Sequence, residues 1–319
     1  MKVIILAAGK GTRMKSDKLK VMHQVGAQHI ISYVLEAVMR LKAAAIYMIV
    51  GHQSQKLEEF LPKDVNLVEQ KEQLGTGHAV MQAAKYFSGN KNETVLVLPG
   101  DCPLIKTETL NKLYSLHKQE KADATILTTK LKDPASYGRI LRGETGLVHG
   151  IREAKDCSRE ELAIKEVNTG IYLFSSTILF EALKKVTTDN KQGEYYLTDV
   201  IEIMVKAKNI IVAYCTDDAE ETRGINSRKD LAAVNKNIYS KINDDLMANG
   251  VTILDPHTTY VDATAKISKD VEIAPFTIIK GKTVIEKNCV IGPYSYLENC
   301  KVTAGQIVPP DSKLRDVVV

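Results

Sequence analysis

Short apolar runs alternate with amphipathic stretches through the first two hundred residues of the chain. Apolar runs at 3–6, 46–50 and 95–98 predict buried strands, and the longer patterned stretches at 30–41 and 76–86 predict helices. Strands that alternate with helices in this way predict an α/β fold with a mostly parallel sheet. Because ligands bind beyond the carboxyl ends of such strands, the loops at 7–14 and 99–104 are the first candidates for chemistry.

A single long helix is predicted after this region. Apolar residues recur there at spacings of three and four, at Leu231, Val234, Ile238, Ile242 and Leu246. The pattern ends at Asn249-Gly250, a helix stop signal. We interpret residues 228–250 as a helix that links two domains.

Beyond this helix, apolar residues recur at every sixth position. The residues in register are Val261, Ile267, Ile273, Ile279, Ile285, Ile291 and Leu297. A six-residue repeat is typical of a parallel β-helix, in which stacked turns bury the inward-facing side chains, and ordinary strands of period two do not explain it. We therefore predict a domain at 1–227, the linking helix at 228–250 and a short β-helix at 251–319. The in-register run corresponds to about two coils, with a further fragment in the tail.

Composition and charge exclude several classes of protein. The chain has 319 residues, 44% of them apolar and 26% charged, and no run approaches the roughly 18 uncharged apolar residues of a membrane span. Its five cysteines are scattered without a CxxC pair, so neither a disulfide framework nor a zinc site is predicted. The net charge of +4 is not gathered into a basic stripe, which argues against nucleic acid as a partner. We expect a soluble, cytoplasmic protein with no membrane partner.

The loop LAAGKGTRM after the first strand has the character of a phosphate cradle. The small residues Ala8, Gly9 and Gly11 let backbone amides approach an anion closely, while Lys10 and Arg13 supply positive charge. A methionine replaces the third glycine of the dinucleotide fingerprint, and the GK[ST] ending of a P-loop is missing, so a dehydrogenase and a P-loop ATPase are disfavoured. Taken alone, the motif is equally compatible with a tight strand-to-helix turn.

An aspartate follows the third predicted strand, in the segment GDCPL. A carboxylate at the carboxyl end of a strand can hold a hard cation, and Mg²⁺ takes one or two protein oxygens together with substrate phosphates. Asp101 is therefore a candidate metal ligand. In isolation, an aspartate in such a segment is also an ordinary turn former.

Eight segments, read together, resemble the bacterial N-acetylglucosamine-1-phosphate uridylyltransferases. They are LAAGKGTRM with SDKLKVMH, QKEQLGTGHA at 70–79, GDCPL at 100–104, YGRI at 137–140, IRE at 151–153, EVNTG at 166–170, QGEYYLTD at 192–199 and GIN at 224–226. The resemblance covers residues 1 to about 230 in the family's order. It implies a Rossmann-like nucleotidyltransferase domain followed by a short left-handed parallel β-helix, with UTP and N-acetylglucosamine 1-phosphate as substrates.

The same resemblance implies roles for individual residues. Arg13 and Lys20 would contact the phosphates that leave as pyrophosphate, and Asp101 and Asn226 would hold a Mg²⁺ that bridges the α-phosphate to the sugar phosphate. No general base is needed, because a sugar phosphate is already an anionic nucleophile. One departure is Leu19, which stands before Lys20 where the family usually has proline, so we expect a less rigid loop.

Base and sugar recognition are assigned by resemblance as well. The nucleotide-binding candidates are Gln70, Gly75 and Thr76, and the sugar-binding candidates are Gly138, Glu153 and Asn168. A side-chain amide suits the edge of uracil, and a carboxylate can accept from ring hydroxyls. The histidines show no metal-ligand spacing, and we interpret His23 and His78 as packing or polar contacts.

Two alternative functions remain. The first is a pyrophosphorylase for another sugar 1-phosphate, such as glucose or another hexosamine, or one that uses dTTP; the segment QLGTGHA and the pair Ala7-Ala8 favour the hexosamine branch. The second is a non-catalytic scaffold that binds nucleotide sugars. The presence of Arg13, Lys20 and Asp101 argues against it.

The relatives that the motifs resemble usually carry an acetyltransferase on a long β-helix. Acetyl transfer to an amine needs a general base, commonly histidine. The only histidine after Gly250 is His257, which precedes the repeat. Residues 304–310 resemble a closing coil. We therefore expect no acetyl transfer. The β-helix would serve stability or a homo-oligomer, a trimer if so short a β-helix suffices.

Overall fold

A computed structural model describes residues 1–9, 11–51, 55–87 and 92–319, without the side chains of residues 55 and 56, and it divides into two compact units. The first unit comprises Met1–His23 and Ile30–Asn226. The second comprises Gln24–His29 and Ser227–Val319. Each unit is described by itself below.

The elements of residues 1–226 are numbered in chain order. The strands are β1 (Lys2–Ala7), β2 (Gln24–Val25), β3 (Gln28–His29), β4 (Ile46–Val50), β5 (Val65–Glu69), β6 (Thr94–Pro99), β7 (Ala124–Lys130), β8 (Arg139–Arg142), β9 (Val148–Arg152), β10 (Glu166–Ser175) and β11 (Ile211–Thr216). The α-helices are α1 (Ile30–Met39), α2 (Gln55–Glu58), α3 (Thr76–Met81), α4 (Thr107–Gln119), α5 (Arg159–Leu162), α6 (Ser176–Leu183) and α7 (Asp199–Lys206). Single 3₁₀ turns lie at Thr12–Met14, Lys20–Met22, Ala84–Phe87 and Ala219–Thr222.

The first unit is built on one mixed, mostly parallel sheet with the strand order β11-β7-β10-β6-β1-β4-β5. Strands β6, β1, β4 and β5 run parallel to one another, whereas β10 is antiparallel to β6 and β7. Val3 and Ile5 pack into one apolar cluster and Ile4 into another, so both faces of β1 are covered. This explains the continuous apolar runs of the central strands and confirms the Rossmann-like α/β prediction.

The predicted helices lie close to the observed ones. The helix expected at 30–41 is α1 and ends two residues earlier, at Met39. The helix expected at 76–86 is shorter, because α3 ends at Met81 and a 3₁₀ turn at Ala84–Phe87 follows it. Among the described residues no helix is long and apolar enough to cross a membrane.

The longer segment of the second unit, Ser227–Val319, begins with helix α8 (Arg228–Ala248). The hydroxyl of Ser227 accepts from the Asp230 N–H, and the Asp230 carboxylate accepts from the Ser227 N–H, which forms a capping box. The strands that follow are β12 (Thr252–Ile253), β13 (Tyr260–Val261), β14 (Lys266–Ile267), β15 (Glu272–Ile273), β16 (Ile278–Lys280), β17 (Val284–Ile285), β18 (Val290–Ile291), β19 (Tyr296–Glu298), β20 (Lys301–Val302), β21 (Ile307–Val308) and β22 (Lys313–Arg315).

These strands stack into three parallel sheets, ordered β12-β15-β18-β21, β13-β16-β19-β22 and β14-β17-β20. Strands β12 to β19 each pair with the third strand after them, as Val261 does with Ile279, so one coil takes three repeats. The repeat residues face inward: Ile273, Ile279 and Ile285 are fully buried, and Ile267 is partly buried. The six-residue pattern therefore identified the β-helix correctly.

The β-helix is longer than the six-residue count indicated. The step from Leu297 of β19 to Val302, the buried residue of the next strand β20, is five residues, and the step from Ile253 to Val261 is eight. A strict period of six therefore misses the first and last strands. The estimate of about two coils was too small. His257 lies between β12 and β13, inside the first coil, and β22 follows the segment expected to close the coil.

Candidate active site

A cleft of about 590 Å³ lies in the first unit, where β1 and β6 end. Most of the predicted site residues line it: Ala8, Gly9, Lys20, Gln70, Gly75, Thr76, Asp101, Gly138, Glu153, Asn168 and Asn226. Two predicted residues lie outside the lining. Arg13 is exposed on the 3₁₀ turn Thr12–Met14, and Gly11 precedes that turn with a φ of 60°. Lys10 lies outside the described residues.

The amide of Gln70 has a fixed orientation in the cleft. Gln70 is 2% exposed, and its Nε2 donates to the Gly75 carbonyl at 3.1 Å and lies 3.0 Å from His78 Nδ1. A carbonyl oxygen can only accept a hydrogen bond, so the amide nitrogen must face Gly75. The Gln70 oxygen is engaged by neither contact and is left as the acceptor that the side chain can offer to a ligand.

The segment around Gly75 packs directly on a second motif. The Gly77 N–H donates to the Tyr195 carbonyl at 2.8 Å, and the Tyr195 N–H donates to the Leu74 carbonyl at 2.8 Å. Gly75 has a φ of 114°, and a Cβ there would lie 2.6 Å from the Tyr195 oxygen. This close approach requires glycine, and it joins the QKEQLGTGHA and QGEYYLTD segments at the same cleft.

Lys20, Asp101 and Asn226 meet at the carboxyl end of β6. The Lys20 ammonium forms an ion pair with the Asp101 carboxylate and donates to Asn226 Oδ1 at 3.2 Å. The Ile225 N–H donates to the Asp101 carbonyl at 2.9 Å, which holds the GIN segment against the aspartate. Two side-chain oxygens that are distant in sequence therefore converge on a single cation.

This oxygen pair has the chemistry of a hard-cation site. Asp101 Oδ2 and Asn226 Oδ1 already face the same positive group, and a divalent ion such as Mg²⁺ prefers this kind of ligand. Within the described ranges, no group of three or more His, Cys, Asp or Glu side chains is placed to hold a metal. A site with one or two protein oxygens fits Mg²⁺, which keeps waters and takes its remaining ligands from phosphates. Next to Asp101, burial raises the pKa of Cys102 well above its ordinary value, so this residue contributes a neutral thiol.

Asn168 reaches the cleft from an irregularity in β10. The register of β10 against β7 shifts between Asn168 and Tyr172, and such a bulge redirects a side chain. The Asn168 oxygen accepts from the Gly170 N–H at 3.1 Å, and its Nδ2 donates to the Tyr172 hydroxyl at 2.6 Å. Its backbone N–H donates to the Gly138 carbonyl at 2.9 Å, so two of the predicted sugar-binding residues are neighbours.

Glu153 lies in the same part of the cleft. Burial raises the pKa of its carboxyl group, the acidic neighbours Asp199 and Asp156 raise it further, and a hydrogen bond from the Thr198 hydroxyl at 3.2 Å opposes the shift. A carboxylate in such surroundings is poorly solvated. Any hydroxyl that donates a hydrogen bond to this carboxylate therefore stabilises its charged form.

Sequence reasoning missed several residues of the cleft. Tyr137, Gln73 and Thr198 line it. Each lies within a quoted motif but had no individual role, because a motif locates a segment and not the direction of each side chain. The ion pair between Lys20 and Asp101 was also not foreseen, since sequence reasoning gave the two residues separate roles.

Family models match both units of the chain. Residues 2–237 match the nucleotidyl transferase family, and residues 264–299 match the bacterial transferase hexapeptide family with six repeats. The first match covers well over half of the chain, and the second coincides with the predicted six-residue register.

Curated relatives from several bacteria bear the name bifunctional protein GlmU. The protein of Enterococcus faecalis is 44% identical over 316 residues, covering 99% of this chain and 69% of the relative. That of Limosilactobacillus reuteri is 45% identical over 302 residues, with coverage of 95% and 66%, and that of Listeria monocytogenes 43% identical over 296 residues, with coverage of 93% and 65%. The chain thus spans about two thirds of the length of these relatives.

Solved structures support the fold independently. UDP-glucose pyrophosphorylase in complex with UDP-glucose superposes with a TM-score of 0.62 at 21% identity, covering 75% of this chain and 98% of that protein. The apo form of UDP-glucose pyrophosphorylase gives a TM-score of 0.60. At this identity the likeness concerns the fold alone. Taken with the family models and the relatives, the motifs lead to one conclusion: the chain belongs to the nucleotidyl transferase family and, within it, to the GlmU family of N-acetylglucosamine-1-phosphate uridylyltransferases.

Proposed function

We propose that the chain transfers the uridylyl group of UTP to N-acetylglucosamine 1-phosphate, forming UDP-N-acetylglucosamine and pyrophosphate in a Mg²⁺-dependent reaction. The observation that carries the proposal is the convergence of Lys20, Asp101 and Asn226 in a cleft that also contains Gln70 and Glu153. The residues proposed to bind the cation, the base and the sugar therefore line one cavity. The names of the relatives, which are about 44% identical, agree with this activity.

The reaction needs alignment and charge neutralisation more than acid-base chemistry. A phosphate oxygen of the sugar phosphate attacks the α-phosphorus of UTP, the bond from that phosphorus to the bridging oxygen breaks, and pyrophosphate leaves. The small residues Ala8 and Gly9 admit the phosphates at the end of β1, and Lys20 supplies charge to the leaving group. Arg13, to which the resemblance assigns the same role, lies outside the cleft lining. When bound between Asp101 and Asn226, Mg²⁺ supplies further positive charge to the phosphate oxygens.

Base and sugar would be recognised by two different sets of residues in the cleft. Uracil carries an N3–H donor, which complements the free oxygen of Gln70, and Gly75 and Thr76 lie beside that amide. Glu153 would accept from a sugar hydroxyl, and Asn168 and Gly138 would border the same ring. Selection of the natural sugar follows from these contacts.

A substrate profile tests the proposal. Pyrophosphate release would be compared for UTP, dTTP and CTP with N-acetylglucosamine 1-phosphate, glucosamine 1-phosphate and glucose 1-phosphate, with and without EDTA. We expect the highest kcat/KM for UTP with N-acetylglucosamine 1-phosphate, and loss of turnover in EDTA that added Mg²⁺ restores. A preference for glucose 1-phosphate would support the alternative sugar. No turnover with any pair would support the non-catalytic scaffold.

We further propose that the 319 residues do not themselves transfer an acetyl group. The β-helix strands carry no histidine, and His257 is an exposed residue in a turn where its backbone N–H donates to the Asp255 carboxylate. Neither the β-helix strands nor His257 therefore provides a buried general base beside a groove. Incubation with acetyl coenzyme A and glucosamine 1-phosphate should release no free thiol above background, and steady enzyme-dependent release would refute this part of the proposal.

The proposed compartment is the cytoplasm. All five cysteines are free thiols: Cys102, Cys157, Cys215, Cys289 and Cys300. Unpaired cysteines are typical of a reducing compartment, where the nucleotide substrates are also made.

A further inference from the structure

Lys20 occupies the position between the two oxygens that are proposed to hold the metal. Its ammonium pairs with Asp101 and donates to Asn226 Oδ1, so it contacts both ligands at once. The Lys20 and Asp101 side chains are only 16% and 12% exposed. In the protein without substrate, the lysine that is proposed to contact phosphates therefore contacts the proposed metal ligands instead.

The charge of Asp101 explains why the ammonium lies there. A carboxylate that is largely removed from water needs a compensating positive charge, and an unpaired one is costly. Lys20 supplies this charge when no other cation is present. A divalent cation on Asp101 would compete with the ammonium for the same oxygen, and two positive groups within contact distance of each other repel.

The stem of Lys20 links this position to the phosphate loop. A Cβ on Gly11 would lie 3.0 Å from Lys20 Cβ and 3.6 Å from its Cγ, so the stem passes directly against the loop that begins at Ala8. Lysine has a flexible four-carbon chain and three donors. Once released from Asp101, the ammonium can reach the backbone that is proposed to bind the phosphates, because its stem already lies against this loop.

We propose that Lys20 is an exchangeable counter-ion of the metal site. It neutralises Asp101 in the free enzyme, and a divalent cation binds Asp101 only as the ammonium leaves. Metal entry thereby frees Lys20 for the substrate phosphates, and phosphates that capture Lys20 open the site for the metal. Metal and nucleotide should therefore bind cooperatively, with Lys20 as the coupling group. The inference rests on the proposed function for its metal site.

The test is metal binding rather than turnover. Mn²⁺ affinity would be measured by electron paramagnetic resonance of the unbound ion, for the wild type, Lys20→Met and the control Lys18→Met, an exposed lysine of the same loop. Without nucleotide, we expect Lys20→Met to bind Mn²⁺ about fivefold or more tightly than the wild type, the lower end of typical couplings. With the uncleavable α,β-methylene analogue of UTP, this advantage should disappear. Lys18→Met should follow the wild type under both conditions.

Further variants separate the possible failures. Lys20→Arg keeps the positive charge and should show no gain in affinity, and Lys20→Gln replaces Lys20→Met if the latter does not fold by circular dichroism. Equal Mn²⁺ affinity of the wild type and the folded neutral variant, without nucleotide, would overturn the counter-ion role and leave the uridylyltransferase proposal intact. Failure of every protein to bind Mn²⁺, even with the analogue, would refute the metal site and this inference together.

Discussion

At the scale of single residues, the pKa of Glu153 gives a pH dependence with a definite sign. Burial raises this pKa, so the carboxylate is protonated at a higher pH than an ordinary glutamate, and its acceptor capacity for sugar hydroxyls is lost as the pH falls through the raised value. At about pH 8, Glu153→Gln should raise the KM for the sugar phosphate roughly tenfold, as expected for hydrogen bonds to a charged group.

The difference between the two proteins should shrink as the pH is lowered from about 8 through this raised pKa, because the wild type then loses its own carboxylate. Titration of the sugar phosphate near pH 6 affects both proteins equally and cancels in the ratio of their KM values. A ratio that stays constant over this range would exclude an ionised Glu153 from sugar binding.

His78 should act on base selection through Gln70. The Gln70 nitrogen faces His78 Nδ1 and the Gly75 carbonyl, and these two contacts keep the amide oxygen as the group offered to the base. Uracil has a donor at N3 where cytosine has an acceptor. His78→Leu should therefore reduce the ratio of kcat/KM for UTP over CTP by about tenfold, the effect of one hydrogen bond. His149→Leu, at an exposed position, is the control and should leave the ratio unchanged.

The sequence identified most of the residues that line the cleft, because its motifs mark the ends of strands. It did not foresee the ion pair of Lys20 with Asp101 or the contact of Gln70 with His78. Both depend on side-chain directions that are set by tertiary packing, and spacing along the chain does not encode them. Arg13 shows a different limit of sequence-based prediction. Its motif predicts a phosphate contact, whereas its side chain lies outside the cleft lining.

At the scale of elements, the second unit depends on a buried contact between α8 and the first coil. Asn243 is fully buried, and its Nδ2 donates to the Pro256 carbonyl at 2.9 Å and to the Thr259 carbonyl at 2.8 Å. Asn243→Ala leaves both carbonyls unpaired and should lower the free energy of unfolding of this unit by about 2–4 kcal/mol. Urea unfolding measures the loss.

A second asparagine of the same chain segment provides the control. Asn249 also donates its amide to a carbonyl, that of Asp245 at 2.7 Å, but in an exposed setting where water replaces the bond. Asn249→Ala should change the free energy of unfolding by no more than about 0.5 kcal/mol. Similar losses for the two variants would contradict a role for burial in the Asn243 contact.

The loop before Lys20 has a backbone conformation that proline could also adopt. Leu19 has a φ of −54° and a ψ of 136°, and proline adopts a φ near that value. The leucine side chain packs against an apolar cluster of the first unit, which restricts the loop by burial instead of by a ring. The expectation of a less rigid loop stays a prediction.

Periodicity predicted the elements well wherever the repeat was regular. Strands β13 to β19 follow the six-residue spacing, whereas β12 and β20 to β22 lie beyond steps of eight and five residues and were not counted. Stacking tolerates such steps, because each strand pairs with its neighbour in space. A turn can therefore gain or lose residues without disturbing the buried positions.

At the scale of the whole molecule, the sequence predicted an α/β segment followed by a β-helix but not which residues group together. The hairpin of β2 and β3 belongs to the second unit, although it lies within the first 30 residues. The Gly26 N–H donates to Asn235 Oδ1 on α8 at 2.7 Å. A long-range contact of this kind leaves no periodic signal in the sequence.

The central claim is metal-dependent uridylyl transfer at the cleft that contains Asp101. The most direct measurement is the simultaneous quantification of pyrophosphate and UDP-N-acetylglucosamine as Mg²⁺ is titrated, for the wild type, Asp101→Asn and the exposed control Asp133→Asn. We predict equimolar products from the wild type and from Asp133→Asn, and a loss of at least about a hundredfold in turnover for Asp101→Asn at every Mg²⁺ concentration. Near-normal turnover of Asp101→Asn at modest Mg²⁺, or pyrophosphate without an equal amount of nucleotide sugar, would contradict the account.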